Sequence, residues 1–242
     1  MKYQKEDRLE RRIMIKFDNF YKKYKNEVVI EKSSFVINKD KVSFFLGPNG
    51  AGKTTLIKCL GGLEEYQGEI HFTSKEDTKT VKPEMLIIWD DCPFYNDFTG
   101  IKNLLVMCEN HELNANKIYD LAGTLLSREV LDRKVKTYSY GQRKKLALVL
   151  QKILNPDILV MDEISNGLDY DSMKQLRKET REIAKNSTVI LTGHQFSFYE
   201  GIVDEVFVIH DKKVKQVTRE YINEGYSFEK LYERYYENEN VN

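Results

Sequence analysis

Apolar residues along this chain gather in short continuous runs. Val42-Ser43-Phe44-Phe45-Leu46, Met85-Leu86-Ile87-Ile88-Trp89 and Ile158-Leu159-Val160-Met161 are too short for helices and too uniformly apolar for strands with one wet face. They predict strands covered on both sides in a parallel sheet. Further strand candidates lie at 13–18, 28–37, 69–72, 188–192 and 205–210. Turn signals at Lys25-Asn26-Glu27 and Asn38-Lys39-Asp40-Lys41 separate the earliest strands and predict an antiparallel layer ahead of an α/β core. Between about 101 and 154 the apolar spacing changes to three and four, in 101–110, 117–126 and 143–154, which predicts helices and no strand. The expected fold class is α/β, with a mixed sheet, an N-terminal antiparallel β layer and an inserted helical lobe over roughly 92–154. In the tail, 218–242, Tyr221, Phe228, Leu231, Tyr232 and Tyr235 share one helical face, read as core packing.

The first run leads directly into Gly47-Pro48-Asn49-Gly50-Ala51-Gly52-Lys53-Thr54-Thr55. The first eight of these residues fill the template G-x-x-x-x-G-K-[ST] between a strand and a helix. Glycines let the backbone approach an anion without a Cβ in the way, and the helix N-terminus adds a partial positive charge. The expected core is therefore that of a P-loop nucleoside triphosphatase. Lys53 is placed to reach the β- and γ-phosphates, and the Thr54 hydroxyl to ligate Mg²⁺.

Composition narrows the partners. At 242 residues the chain is read as one large unit with an inserted lobe. The 38 basic and 38 acidic side chains cancel and form no long block, which points away from a nucleic-acid partner. Cys59, Cys92 and Cys108 are odd in number and lack metal-site spacing, as expected in a reducing cytoplasm. The first twelve residues are mostly polar and charged, and no apolar stretch approaches the ~20 residues that a membrane helix needs. Any membrane role would require a partner chain.

A second site signal closes the run 158–161. Asp162 and Glu163 stand at the carboxyl end of an apolar strand, the edge where α/β sheets hold ligands. Asp162 suits Mg²⁺, and Glu163 suits orienting and deprotonating an attacking water.

Between the two motifs, Tyr138-Ser139-Tyr140-Gly141-Gln142 resembles the LSGGQ-type signature of the ATP-binding cassette (ABC) family at Ser139, Gly141 and Gln142. It departs from that signature at Tyr138 and Tyr140. Ser165-Asn166-Gly167-Leu168-Asp169 resembles the family's D-loop, and His194 its switch histidine. Tyr24 sits where the family carries an aromatic that stacks on adenine, and Asp90 where it carries a Gln at the Mg²⁺ site. The resemblance runs from about Met14 to near Tyr232. It implies an ATPase using ATP and Mg²⁺, with Ser139, Gly141 and Gln142 facing the γ-phosphate held by a second cassette in a homodimer or heterodimer. It further implies an integral membrane permease as partner, met by the segment 94–104, and a location on the inner face of the cell membrane. Phe98-Thr99-Gly100 and Ser227-Phe228-Glu229-Lys230-Leu231-Tyr232 resemble ATPases of antibiotic, bacteriocin or multidrug exporters, which favours export. Two other readings stay open. One is a soluble ABC ATPase acting on nucleic acid or in cofactor assembly; the other is a P-loop kinase, which the gap of about 110 residues from Lys53 to Asp162 disfavours.

Overall fold

Residues 13–73, 83–109, 113–123, 125–217 and 227–237 are described by the computed structural model of the chain. The strands are β1 (Ile13–Tyr24), β2 (Glu27–Asn38), β3 (Val42–Leu46), β4 (Gln67–Phe72), β5 (Met85–Ile88), β6 (Ile158–Met161), β7 (Thr188–Thr192), β8 (Glu205–His210) and β9 (Lys213–Gln216). They form two sheets, a three-stranded one in the order β2-β1-β4 and a six-stranded one in the order β5-β6-β7-β3-β8-β9. The first is antiparallel. The second is parallel except for β9, which pairs antiparallel with β8.

Every strand expected from the apolar runs is present, with β1, β2 and β4 extending further and β5 ending at Ile88, one residue short of its run. β9 has no such signal, because Lys213-Val214-Lys215-Gln216 buries only Val214. Its strand conformation is fixed by the backbone ladder with β8. All five residues of β3 are buried. Val42, Phe44 and Leu46 face one hydrophobic cluster and Phe45 the other, so β3 is the central strand with both faces covered. Its one polar side chain, Ser43, donates to Glu205 Oε2 at 3.1 Å. The same carboxylate accepts from the Asn38 backbone and side chain. That satisfies a charge with only 5% exposure.

The helices are α1 (Lys53–Leu60), α2 (Gly100–Met107), α3 (Ala115–Ala122), α4 (Arg128–Leu131), α5 (Tyr140–Leu154), α6 (Tyr170–Ile183), α7 (Phe196–Tyr199) and α8 (Phe228–Tyr232). Thr99, Asn114, Ser127, Ser139, Asp169 and Ser227 cap six of them, each side chain accepting a backbone N–H three residues on. The helices α2 to α5 occupy the region expected as a lobe. They share one apolar cluster with the sheet, in which Leu104, Ile118, Leu131 and Leu146 pack with Phe44 and Leu159. α5 starts three residues earlier than its apolar spacing indicates, because Ser139 and Gln142 form a reciprocal capping box. α3 runs 115–122 rather than 117–126, and Gly123 follows with φ of 47°. Asn110, expected in the first lobe helix, lies outside the described residues.

The tail packs as expected over its described part. Phe228 stacks on Phe44 with centroids 5.1 Å apart, and Leu231 is buried. Tyr232 and Tyr235 lie against the same cluster, whereas Tyr221 and the rest of 218–226 and 238–242 fall outside the described residues. Phe228→Ala should therefore cost about 3 kcal/mol of unfolding free energy, seen as a lower urea midpoint. An unshifted midpoint would show that α8 adds nothing to the core.

Candidate functional site

β3 delivers the chain to residue 47 at the carboxyl edge of the parallel sheet, and α1 leaves from residue 53. Between them, Gly52 has φ of 104°, and a Cβ there would lie 2.9 Å from Val29 Cγ1. Conformation and space both require glycine. Lys53 folds back so that Nζ donates to the carbonyls of Gly47 at 2.6 Å and Pro48 at 3.0 Å. Burial pulls the Lys53 pKa below the ordinary lysine value, opposed by the nearby charges of Glu163 and Asp162. Asn49, Gly50 and Thr54 are exposed, while Ala51 and Thr55 are half-buried. A cavity of about 310 Å³ opens beside the loop, lined by Val28, Val29, Pro48, Gly50, His210 and Tyr236 among others.

The acid pair stands beside this loop. Asp162, at the end of β6, is 5% exposed. Its Oδ2 accepts from Thr54 Oγ1 at 3.0 Å, and its Oδ1 accepts a short bond from Thr192 Oγ1 at the end of β7. Burial raises the Asp162 pKa; the two hydroxyl donors act in the opposite direction. Glu163 is half-buried, with φ of 53°. Its N–H donates to Thr192 Oγ1 at 3.1 Å and Thr192 O at 3.2 Å. Its Oε2 accepts from Asn166 Nδ2 at 2.6 Å, and its Oε1 lies 3.4 Å from His194 Nε2. That last separation is a close approach rather than a formed hydrogen bond. The buried Nε2 makes no hydrogen bond among the described residues, so it is available to an acceptor entering the site.

The donor set suits Mg²⁺. A hydroxyl and a carboxylate are hard oxygen ligands, and Mg²⁺ takes one or two protein ligands and completes its shell with water and phosphate oxygens. The Thr54–Asp162 pair supplies that number beside the phosphate loop.

The remaining predicted residues have different neighbours. Ser139 Oγ accepts from the Gln142 N–H at 3.2 Å, and Gln142 Oε1 accepts from the Ser139 N–H at 3.0 Å, so both act first as helix caps. Gly141 is half-buried, and a Cβ there would be in van der Waals contact with Leu168 Cδ2 at 3.7 Å and Ser172 Oγ at 3.8 Å. Asp90, expected at the metal site, has its carboxylate bound by the Tyr140 hydroxyl at 2.5 Å and by Lys144 Nζ at 3.1 Å. Neither Thr54 nor Asp162 is among its hydrogen-bond partners. Tyr24 is 40% exposed, with Lys22 Nζ 4.3 Å from its ring centroid, and it does not line the cavity beside the phosphate loop.

Three residues escaped the sequence reading. Thr192 bonds both acids, and its only signal is its place at the end of an apolar run. Tyr199 is fully buried, donates to Thr192 O at 2.7 Å and meets Ser165 Oγ at 3.0 Å. Lys144 is 2% exposed and donates to Glu163 O at 3.0 Å. In the sequence it belongs to Arg143-Lys144-Lys145, which reads only as the start of a helix.

The family model described as "ABC transporter" matches residues 30–166. The lantibiotic transport ATP-binding protein SrtF of Streptococcus pyogenes is 28% identical over 203 residues, covering 83% of this chain and 89% of that protein. The bacitracin transport ATP-binding protein BcrA of Bacillus licheniformis is 30% identical over 211 residues, covering 83% and 68%. Among solved structures, an ATP-binding subunit of an ABC transporter superposes with a TM-score of 0.77 at 22% identity, over 90% of this chain and 98% of that one. CbiO1 of Clostridium perfringens, described as part of the ABC transporter complex cbiONQ, gives 0.72 at 20% identity, over 92% and 94%.

Thr192→Val keeps the shape of β7 but removes a hydroxyl that serves both acids. It should lower unfolding free energy by about 1–3 kcal/mol, measured by urea denaturation. A wild-type midpoint would show that neither acid depends on Thr192.

Proposed function

This chain belongs to the ABC transporter family, and on that footing we propose that it is the ATP-hydrolysing subunit of a transporter that moves its cargo outward through a separate membrane-embedded permease. The observation that carries the reading is the cluster of Lys53, Thr54, Asp162, Glu163 and His194 at one sheet edge, with Thr54 bonded to Asp162 and Glu163 beside His194. Each residue has a distinct task there. The loop N–H groups and the Lys53 ammonium receive the triphosphate. Glu163 takes a proton from the attacking water as its oxygen bonds to the γ-phosphorus and the bond to the bridging oxygen breaks. His194 Nε2, 3.4 Å from Glu163 Oε1, donates to a γ-phosphate oxygen, while Asn166 Nδ2 keeps the Glu163 carboxylate in place. Thr54 and Asp162 would hold Mg²⁺, which when bound offsets the charge developing on the phosphate oxygens.

A second cassette would complete the site by presenting Ser139, Gly141 and Gln142 at the N-terminus of α5. Ser139 and Tyr140 are exposed there, and Gly141 is half-buried. ATP then favours the closed pair and ADP the open one, which supplies the force on an attached permease. The permease would dock on the segment 94–104 and the end of α2 that follows it, where Tyr95, Leu105, Val106 and Met107 are exposed. No helix among the described residues is long and apolar enough to cross a membrane, so the permease is assigned to another chain and this one to the inner membrane face. Outward transport rests on the segments 98–100 and 227–232 and on likeness to proteins named for lantibiotic and bacitracin transport.

Phosphate release by the chain with its permease in membranes tests the reading. Glu163→Gln should lower turnover at least about 100-fold while ATP drives a stable dimer, seen by size-exclusion chromatography with light scattering. Monomers in excess ATP would refute the two-cassette site. Lys53→Ala should abolish most ATP binding in a fluorescence titration, and EDTA should stop hydrolysis. Undiminished binding by the first or undiminished turnover with the second would count against the assigned site.

A further inference from the structure

Lys144 sits in the second turn of α5 with its ammonium almost wholly removed from water. A lone buried cation is strongly destabilising unless matched by charge and hydrogen bonds, so its three neighbours matter. Nζ donates to Asp90 Oδ1 at 3.1 Å and to the Glu163 carbonyl at 3.0 Å, and it lies 4.5 Å from the centroid of the Tyr140 ring. Asp90 supplies the opposite charge. Tyr140 closes the unit, since its hydroxyl donates to the same Asp90 oxygen and lies 2.8 Å from the Asp90 carbonyl. Its ring covers Gly167, where an added Cβ would come within 2.7 Å of the ring. Four segments thus meet in one contact: the start of α5, the turn after β5, the acid at the end of β6 and the loop behind that acid.

The contact acts on a residue under backbone strain. Glu163 has φ of 53°, in the left-handed region that is unfavourable for a non-glycine residue. Such a conformation persists only where its surroundings fix it. Thr192 holds the N–H of Glu163, and Asn166 holds its side chain. The carbonyl is held by Lys144, which belongs to the lobe. We propose that Lys144, oriented by Asp90 and Tyr140, is a positioning residue for Glu163, so that the seating of the helical lobe sets the aim of the catalytic carboxylate. Tyr140 and Asp90, two positions where this chain departs from the family it resembles, then work as one pair. The inference rests on the reading of Glu163 as the base.

Steady-state ATPase kinetics and backbone amide hydrogen exchange test it together. Lys144→Met keeps the unbranched stem but removes the ammonium, and should lower kcat about 10- to 100-fold, the scale expected when a catalytic group is displaced by about 1 Å. KM for ATP should stay within about twofold. Lys144→Arg should recover part of kcat. Exchange at the amides of 163–166 should quicken in Lys144→Met and not in Lys144→Arg. Tyr140→Phe keeps the ring and should reduce kcat severalfold, with no further loss when added to Lys144→Met. A wild-type kcat in Lys144→Met, a loss confined to KM, or additive losses in the double variant would overturn the proposal. If Lys144→Met does not fold, Tyr140→Phe and Lys144→Arg carry the same kinetic and exchange readouts. If the wild-type chain hydrolyses no ATP, the reading of Glu163 as base fails, and exchange at 163–166 still decides whether Lys144 positions that segment.

Discussion

One buried carboxylate organises the sheet edge. Asp162 has almost no contact with water, and an ionised carboxylate in such a place is stable only with donors close by. Its two donors are Thr54, 108 residues earlier in the chain, and Thr192, 30 residues later. Both are in reach because β7 lies between β6 and β3, so three parallel strands end side by side and bring the phosphate loop, the acid pair and Thr192 together. Another strand order would part the donors from the acid. The same arrangement places Lys53 near two carboxylates, which offsets part of the burial that depresses its pKa.

Much of this was legible locally. A phosphate loop is written in consecutive residues, and fully buried strands are continuous apolar runs, so β3, β5, β6, β7 and β8 could be placed without knowing their neighbours. Capping residues are local too, yet apolar spacing alone starts α5 three residues late. Its first turn, Tyr140-Gly141-Gln142, carries no apolar period, and the reciprocal Ser139–Gln142 bonds define it instead. What escaped was whatever depends on a distant partner. Asp90 looks in sequence like an acid available to a metal, but its carboxylate is matched by Lys144, 54 residues on. Thr192 and Tyr199 look like the end of a strand and a short aromatic turn. Only the fold shows that Tyr199 donates to the carbonyl of the residue that supports both acids.

The beginning of α5 has two obligations that explain its unusual composition. Facing outward, Ser139 and Gln142 spend their side chains on capping the helix. Facing inward, Tyr140 and Lys144 engage Asp90 and the Glu163 carbonyl. A glycine at position 140 would give closer backbone approach from outside, but it would remove the hydroxyl that fixes Asp90 and the ring that shields the Lys144 ammonium. The tyrosine therefore exchanges some outward access for a firmer link between the lobe and the acid strand.

The C-terminal tail belongs to the same structural logic. Past the end of a β-ladder, carbonyls need other donors, and the carbonyls of Leu46 and Ile209 lie where β3 and β8 run out beside the phosphate loop. The Tyr236 hydroxyl donates to Ile209 O at 2.6 Å and lies 3.3 Å from Leu46 O. Eight residues earlier, Phe228 stacks on Phe44 in the middle of β3. The strand that delivers the phosphate loop is thus supported by the tail at its centre and at its end. Tyr235 and Tyr236 also wall the cavity beside Pro48 and Gly50, so occupancy of that cavity and docking of the tail share a surface. The aromatic face that the sequence assigns to core packing does that work at Phe228 and Leu231; at Tyr235 it reaches the edge of the site.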